Sequence, residues 1–430
     1  MARRKKLKEV RIGIFGLERG RSFVKNMQKI KGVKLVAVCE MSDASIEKTK
    51  EFLPEDTKIF KNFDEFIDCG LDAVVLANYF HEHAKYAMIA LEKKIHVLSE
   101  TTAAPTLGEC VKLCRAVEQS KCKYMLAANT SWMPGTKELK KLYEAGEIGK
   151  IRYAQAEYLH PTEATPTGFV HREKKHYKHW RRHTPRTYYN MHSMGALMEI
   201  TNSLPVRVSG HALYAPDYME SVTHPYVGDM AAYCIAEMDN GALYNATGCG
   251  AIGPISKWFR LAGDNGNIET VRFENGGVGT VRVDYMKYAL PDNDESKASR
   301  VYEPDDARDT GIFTKKEIDY AKLEGGNKSG HAGYCDFWIS LYFIKYLRGE
   351  VEPFFNVYRA CALSAAAILS WRSILNGGKS YDIPDFTDKR KRRKYEKDLL
   401  SPYPAENEEK GEISCCSDAN YDLFKKYDIE

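Results

Sequence analysis

The first third of the chain alternates short apolar runs with stretches of helical periodicity. Val10–Phe15 reads as a buried strand, and residues from about Ser22 to Ile30 as a helix. Val33–Cys39 predicts a second strand, Ala44–Phe52 a helix, Lys58–Phe60 a short third strand and Phe63–Ile67 a helical turn. Leu71–Leu76, Ile95–Leu98 and Tyr124–Ala128 predict three more strands, separated by helices over His83–Glu92 and Leu107–Glu118. Strands alternating with helices build βαβ units, so residues 1–130 are expected to form an α/β domain with a doubly wound parallel sheet of the dinucleotide-binding type.

The pattern then changes. Ile151–His160 alternates strictly, as a half-buried strand does, which places Tyr158 and His160 on one face. Met230–Glu237, Ala242–Thr247, Trp258–Ala262 and Val281–Asp284 read as strands, and Phe337–Arg348 and Val357–Leu375 as helices, the second stopped by Gly377–Gly378. Residues 161–180 read as a pocket-rim loop and 285–325 as charged loops. A second domain is expected over 131–386 and a charged tail over 387–430.

Composition narrows the class. With 43% hydrophobic and 28% charged residues the 430-residue chain is an ordinary globular protein, and its net charge of +4 is too small to argue for a nucleic-acid partner. The basic run Lys389–Lys394 reads as a solvated helix face, neutralised by Glu396, Asp398 and the acidic stretch beyond, with Pro402 and Pro404 favouring an extended segment wrapped on a neighbouring surface. No apolar run approaches the roughly 18–20 residues of a membrane span, so no membrane partner is expected. Eleven cysteines, an odd number without CxxC spacing, fit reduced thiols and a cytoplasmic protein.

The chemistry begins at the first βα turn, Gly13–Arg21. Gly16 suits the tight turn and Gly20 the close start of the helix, whose free N–H groups favour an anion. Glu18 stands where the G-x-G-x-x-G pattern has its second glycine, and Arg19 and Arg21 are candidates to offset it. Glu40 ends the second strand twenty residues beyond Gly20, placed to accept hydrogen bonds from an adenosine ribose. No arginine follows it, which favours NAD over NADP.

The run Asp72–Asn78, then His83, then Lys94–Glu100, together with Gly146–Gly149 and Gly263–Glu269, resembles the glucose–fructose oxidoreductase/inositol dehydrogenase (Gfo/Idh/MocA) family over roughly residues 9–386. The resemblance implies an N-terminal Rossmann domain and a C-terminal α/β domain whose open, largely antiparallel sheet forms the substrate pocket and often an oligomer interface. A homodimer or homotetramer acting on a sugar or related small molecule is the expectation. It makes Asn78, His83, Glu100 and Asn129 candidate cofactor contacts. Where the family carries Glu-Lys-Pro this chain has Glu100-Thr101-Thr102, so the usual lysine acid/base is missing.

A second resemblance accommodates that loss. His179–Arg181 followed by Thr187–Gly195 is similar to the Tyr-x-x-His-x-x-Gly segment of glycoside hydrolase family 109, and Gly330–Phe337 to its Gly-His-Gly-Gly-x-Asp-Phe segment. Members of that branch hold NAD tightly and cleave glycosides through transient oxidation. Such cleavage needs proton-transfer groups. His192, with an ordinary pKa of about 6.5, and Tyr189, at about 10 unless a neighbouring cation lowers it, are the catalytic candidates. Arg181 and Arg182 are the cations available in sequence. His160, Trp180, Arg181 and His331 are candidate substrate contacts, although Trp180 fits a core position equally well, His331 a helix cap and His160 a surface turn. Glu157, His160, His192 and His331 lack the close spacing of a metal site, and none is expected. Two other readings stay open: a simple NAD-dependent sugar or polyol dehydrogenase, and a binding protein that has lost catalysis.

Overall fold

A computed structural model of the chain describes residues 9–160, 180–213, 229–249, 253–272, 279–304, 313–324 and 335–404. Six strands form the first sheet: β1 (Val10–Phe15), β2 (Val33–Cys39), β3 (Lys58–Phe60), β4 (Ala73–Leu76), β5 (His96–Ser99) and β6 (Tyr124–Leu126). All pairings are parallel and the order is β3-β2-β1-β4-β5-β6, the doubly wound arrangement with its switch point beside β1. β4 and β6 are buried throughout and β1 at all but one position, which is why they read as near-continuous apolar runs. Helices α1 (Leu17–Met27), α2 (Asp43–Lys50), α3 (Phe63–Ile67), α4 (His83–Glu92) and α5 (Leu107–Ser120) connect the strands. Ser42, Asn62 and Thr106 cap α2, α3 and α5 by accepting from backbone N–H groups of the first turn.

After α6 (Pro134–Glu144) the chain builds a nine-stranded sheet. Its strands are β7 (Ile151–Leu159), β8 (Pro205–Leu213), β9 (Ala231–Met238), β10 (Leu243–Cys249), β11 (Ser256–Gly263), β12 (Gly266–Thr270), β13 (Val281–Tyr285), β14 (Ser299–Tyr302) and β15 (Tyr381–Asp382). The order is β14-β13-β12-β11-β7-β10-β9-β8-β15, antiparallel except for β7 against β10. One face packs on α7 (Asn190–Thr201) and α10 (Val357–Leu375) through small residues. At Gly248 an added Cβ would stand 2.5 Å from the Arg186 carbonyl and from Asn190 Oδ1; at Gly210 it would stand 2.6 Å from the Ser370 carbonyl. The other face leaves Tyr233, Ile235, Leu243 and Val206 exposed. The region read as charged loops, 285–325, contains β14 and helix α8 (Lys315–Glu324); their polar, weakly periodic sequences concealed them. Helix α9 (Asp336–Leu347) and α10 match the expected helices to within a residue at each end.

The described part of the tail, as far as residue 404, is packed on the rest of the chain. Its basic run forms α11 (Lys389–Arg393), capped by Asp388. Arg392 is buried, donating to Glu118 (2.7 Å) and to the Phe386 carbonyl (2.6 Å). Glu396 pairs with Arg115 at 2.6 Å, and Asp398 takes two bonds from Arg372 (2.7 and 2.5 Å). The run is a solvated helix face at five of its six positions, with Arg392 the exception; Arg392, Glu396 and Asp398 find partners on α5 and α10, and the segment straps the first domain to the second.

Candidate active site

The carboxyl ends of β1, β2, β4, β5 and β6 form one edge, where doubly wound sheets bind their ligands. Gly16 follows β1 with φ +86°, and an added Cβ would stand 2.6 Å from the carbonyl of Ala77 and the nitrogen of Asn78. The turn is thus cradled against the end of β4 in a way only glycine permits. Gly20 seats α1 close to β1, an added Cβ meeting Ile14 at 2.9 Å. Glu40 is held at the amino end of α1: Leu17 N donates to its Oε2 (2.7 Å) and Ser42 N to its Oε1 (2.9 Å). Glu18 turns outward, accepting from Ser45 (3.2 Å) and lying 3.7 Å from Arg21, so it is directed away from the turn.

Asn78 ends β4 with neither side-chain amide atom hydrogen-bonded, and Asn129 Oδ1, past β6, likewise lacks a partner. Buried amides of this kind are costly unless a ligand completes them. With Gly16, Gly20 and Glu40 they make the edge fit NAD: Glu40 for a ribose, the Gly16 turn for the pyrophosphate, Asn78 and Asn129 for the far half. His83 serves this edge indirectly. It is buried, with Nδ1 at 3.1 Å from the Thr102 carbonyl and Nε2 at 3.3 Å from the Asn78 carbonyl, and burial lowers its pKa to about 4. The ring links the Asn78 and Thr102 loops; in its neutral form it donates to only one of the two carbonyls.

Arg19 also departs from expectation. Its guanidinium makes a bidentate pair with Asp336 at the start of α9 (2.6 and 2.8 Å) and pairs with Glu100 past β5. It is committed to two carboxylates and does not serve to offset Glu18. Burial and the neighbouring Asp336 push the Glu100 carboxyl up, while Arg19 holds it down. Thr101, in the place of the missing lysine, is buried and gives its N–H to Glu100 Oε2.

The substrate side is an aromatic and imidazole cluster. Tyr158, on β7, stacks on His192 of α7 with centroids 4.4 Å apart and on His160 at 5.6 Å. Tyr189, the residue before α7, lies 6.4 Å from Tyr158 and 6.1 Å from His192. Tyr189, His192 and His160 are thus brought together, and Tyr158 is their common platform. Thr130 anchors the group to the cofactor edge by donating to the His192 carbonyl at 2.7 Å. Tyr188 takes no part: it is buried, its hydroxyl donates to the Pro105 carbonyl (2.8 Å), and burial pushes its pKa up.

The cation beside Tyr189 is Arg186, its Cζ 5.1 Å from the ring centroid. Arg186 is buried, and both its backbone N–H (2.8 Å) and its Nε (3.1 Å) bond to Asp229. Burial raises the Asp229 carboxyl to about 7, with Arg186 opposing. Neither residue was marked by the sequence, because no motif or spacing links positions 186 and 229. Trp180 is buried face to face on Phe80 (5.4 Å, 8°), which is the core packing the sequence also allowed, here between the domains. Glu157 is bound by Arg272 through two bonds (3.0 and 2.9 Å) and by Ser256. Among the described residues no group of three His, Cys, Asp or Glu is placed to hold a metal. His331, the rim loop 161–179 and the Arg181 side chain lie outside the described residues.

A parallel sheet with a ligand-ready carboxyl edge, joined to an antiparallel sheet that carries histidine and tyrosine up to it, defines a two-domain dinucleotide-dependent oxidoreductase. Comparison with known proteins sharpens that class. The family model described as oxidoreductase family, NAD-binding Rossmann fold, matches residues 10–128, and that of the glycosyl hydrolase 109 C-terminal domain matches residues 254–393. A glycosyl hydrolase family 109 protein of Shewanella sp. (strain ANA-3) is 26% identical, over 89% of this chain and 86% of its own length. An alpha-N-acetylgalactosaminidase of Shewanella oneidensis is 25% identical over the same shares. A solved levoglucosan dehydrogenase, in complex with NADH and levoglucosan, superposes with a TM-score of 0.69 at 16% identity, covering 87% of this chain and all of the other. Residues 10–128 thus match an NAD-binding Rossmann domain of the Gfo/Idh/MocA type, and over most of its length the chain resembles the glycoside hydrolase 109 branch.

Proposed function

We propose that this chain is an NAD-dependent glycosidase that cleaves its substrate through transient oxidation of a sugar ring carbon. The observation that carries the reading is the Tyr158–His160–Tyr189–His192 cluster, tied through Thr130 to an edge that fits NAD and lacks the dehydrogenase lysine. NAD, when bound, reversibly accepts hydride from the ring carbon, which makes the neighbouring C–H acidic. His192 is the base for that proton, its ring oriented by the Tyr158 face and its backbone fixed by Thr130. Tyr189 lies beside His192 with Arg186 over its ring, an arrangement that lets the phenol give its proton to the leaving oxygen and the resulting phenolate, favoured by the cation, take one from the incoming water. Trp180, packed on Phe80, closes the wall between the domains against water.

The relatives support a glycoside of N-acetylgalactosamine as the first substrate to try. The exposed outer face of the nine-stranded sheet supports a homodimer or homotetramer, and the free cysteines support residence in the reducing cytoplasm. The test has two steps. Purified protein is first denatured without added cofactor and its NAD measured. A nitrophenyl glycoside is then turned over in deuterated water. Aglycone release without net NADH, and with deuterium gained next to the oxidised carbon, is the expected result. Stoichiometric NADH would instead make the chain a sugar dehydrogenase, and NAD binding without either reaction would make it a binding protein.

A further inference from the structure

The Arg19, Glu100 and Asp336 side chains meet where three elements converge. Arg19 lies in the first turn of α1, three residues beyond Gly16; Glu100 follows β5; Asp336 opens α9. Asp336 is fully buried and Glu100 nearly so. Asp336 holds Arg19 with both carboxylate oxygens, and Glu100 shares the same guanidinium nitrogen through Oε1. One cation therefore faces two carboxylates. Among the described residues no second cation pairs with either acid, so the group carries a formal charge of −1, with both carboxylates buried and the guanidinium 28% exposed. Excess buried charge is expensive and draws in a complementary charge.

The strand order fixes which part of a dinucleotide lies nearest. β1 and its Gly16 turn stand at the switch point, with β2 on one side and β4, β5 and β6 on the other. A dinucleotide spans this point, one mononucleotide to each side. Glu40, at the end of β2, takes the adenosine side, so the nicotinamide side falls toward β4 and β5, where Glu100 stands. The nicotinamide ring is a cation when oxidised and neutral when reduced.

We propose that the Arg19–Glu100–Asp336 triad selects the redox state of the cofactor, holding NAD+ more tightly than NADH. This rests on the NAD-dependent reading above and adds a thermodynamic role that the reading does not require. In an enzyme that takes up a hydride and returns it, such a bias keeps the resting site oxidised and favours return of the hydride to the sugar. Arg19 keeps the two acids from repelling each other apart, leaving one uncompensated charge for the ring.

Direct binding measures this without turnover. Dissociation constants for NAD+, NADH and ADP-ribose are determined by calorimetry on the full chain stripped of cofactor, for wild type, Glu100→Gln and Asp336→Asn. Wild type is expected to prefer NAD+ over NADH by about tenfold or more, the scale of one charge acting across several ångströms at an effective dielectric of about 20. Either neutralised variant is expected to lose most of that preference while binding ADP-ribose, which lacks the ring, as wild type does. A variant that loses ADP-ribose as well has lost its fold, and the other then carries the comparison. Equal or reversed wild-type affinities overturn the inference outright, as does an unchanged preference in a variant that keeps ADP-ribose. Wild type binding neither nucleotide overturns the NAD reading itself, a distinct result.

Discussion

The cofactor edge and the substrate cluster are built by opposite means. On the edge, Gly16, Glu40, Asn78, Glu100 and Asn129 each stand within three residues of the end of a parallel strand, and the βαβ connections alone bring them into line. The cluster has no such local rule. Tyr158 arrives on β7, Tyr189 and His192 on a turn and helix 31 to 34 residues later, and Arg186 is fixed by Asp229 in front of β9. The first half is specified by backbone geometry and tolerates varied side chains. The second depends on side-chain identity and on how two domains pack.

That contrast predicts how each half fails. Truncating His192→Ala removes the base while Thr130 still holds the backbone, so turnover is expected to fall by about 10²- to 10⁴-fold with the bound NAD content unchanged. Full activity in this variant would sink the catalytic assignment. Gly16→Ala strikes the other half. The positive φ and a methyl 2.6 Å from the Ala77 carbonyl force the turn open, and NAD affinity is expected to drop by about ten- to a hundredfold. Calorimetry on the two variants separates them: one binds and does not react, the other reacts only at high NAD.

The same division explains what the sequence revealed. All six strands of the first sheet and its βα turns were legible, because buried parallel strands are apolar runs and turn glycines sit at fixed offsets. Tyr189, His192 and the Tyr158/His160 face were legible from motif and alternation. The partners of Arg19, carboxylates 81 and 317 residues away, leave no local trace in the sequence, and neither does the Phe80 ring under Trp180. β14 and α8 were missed because their sequences are polar and weakly periodic; β8 and β12 carry no strong local signal either, and α6 was missed as well. In the basic run, Arg392 looks like its five solvated neighbours, and only the fold singles it out as the buried one.

The strap formed by that tail gives a smaller effect. Arg392→Ala takes the donor from the Phe386 carbonyl and leaves Glu118 with Tyr358 and the exposed Lys389, and is expected to lower the unfolding free energy by about 2 kcal/mol. The exposed neighbour Arg393→Ala is expected to change it by less than about 0.5 kcal/mol. Urea midpoints for the pair decide whether the strap belongs to the fold. Equal midpoints would put Arg392 with its solvated neighbours.

The smallest effect tests whether the two halves titrate against each other. His83, on the cofactor side, is neutral in the folded chain with a pKa of about 4, against about 6.5 unfolded. Its contribution is complete above pH 6.5 and is lost as the pH falls toward 4, because the unfolded chain takes up the proton first. Asp229, on the substrate side, is raised to about 7 against about 3.9 unfolded. Over the same descent the folded chain takes up that proton first, so stability grows as the pH falls from 7 toward 4. The two terms oppose each other and flatten the wild-type profile. Replacing His83→Gln removes only the loss: relative to wild type, its unfolding free energy is expected to rise by about 2 kcal/mol between pH 6.5 and 4.5. Asp229→Asn is expected to shift the profile in the opposite direction. Parallel profiles for His83→Gln and wild type would mean that the ring between the Asn78 and Thr102 carbonyls takes up its proton as readily as in the unfolded chain, and that burial does not keep it neutral.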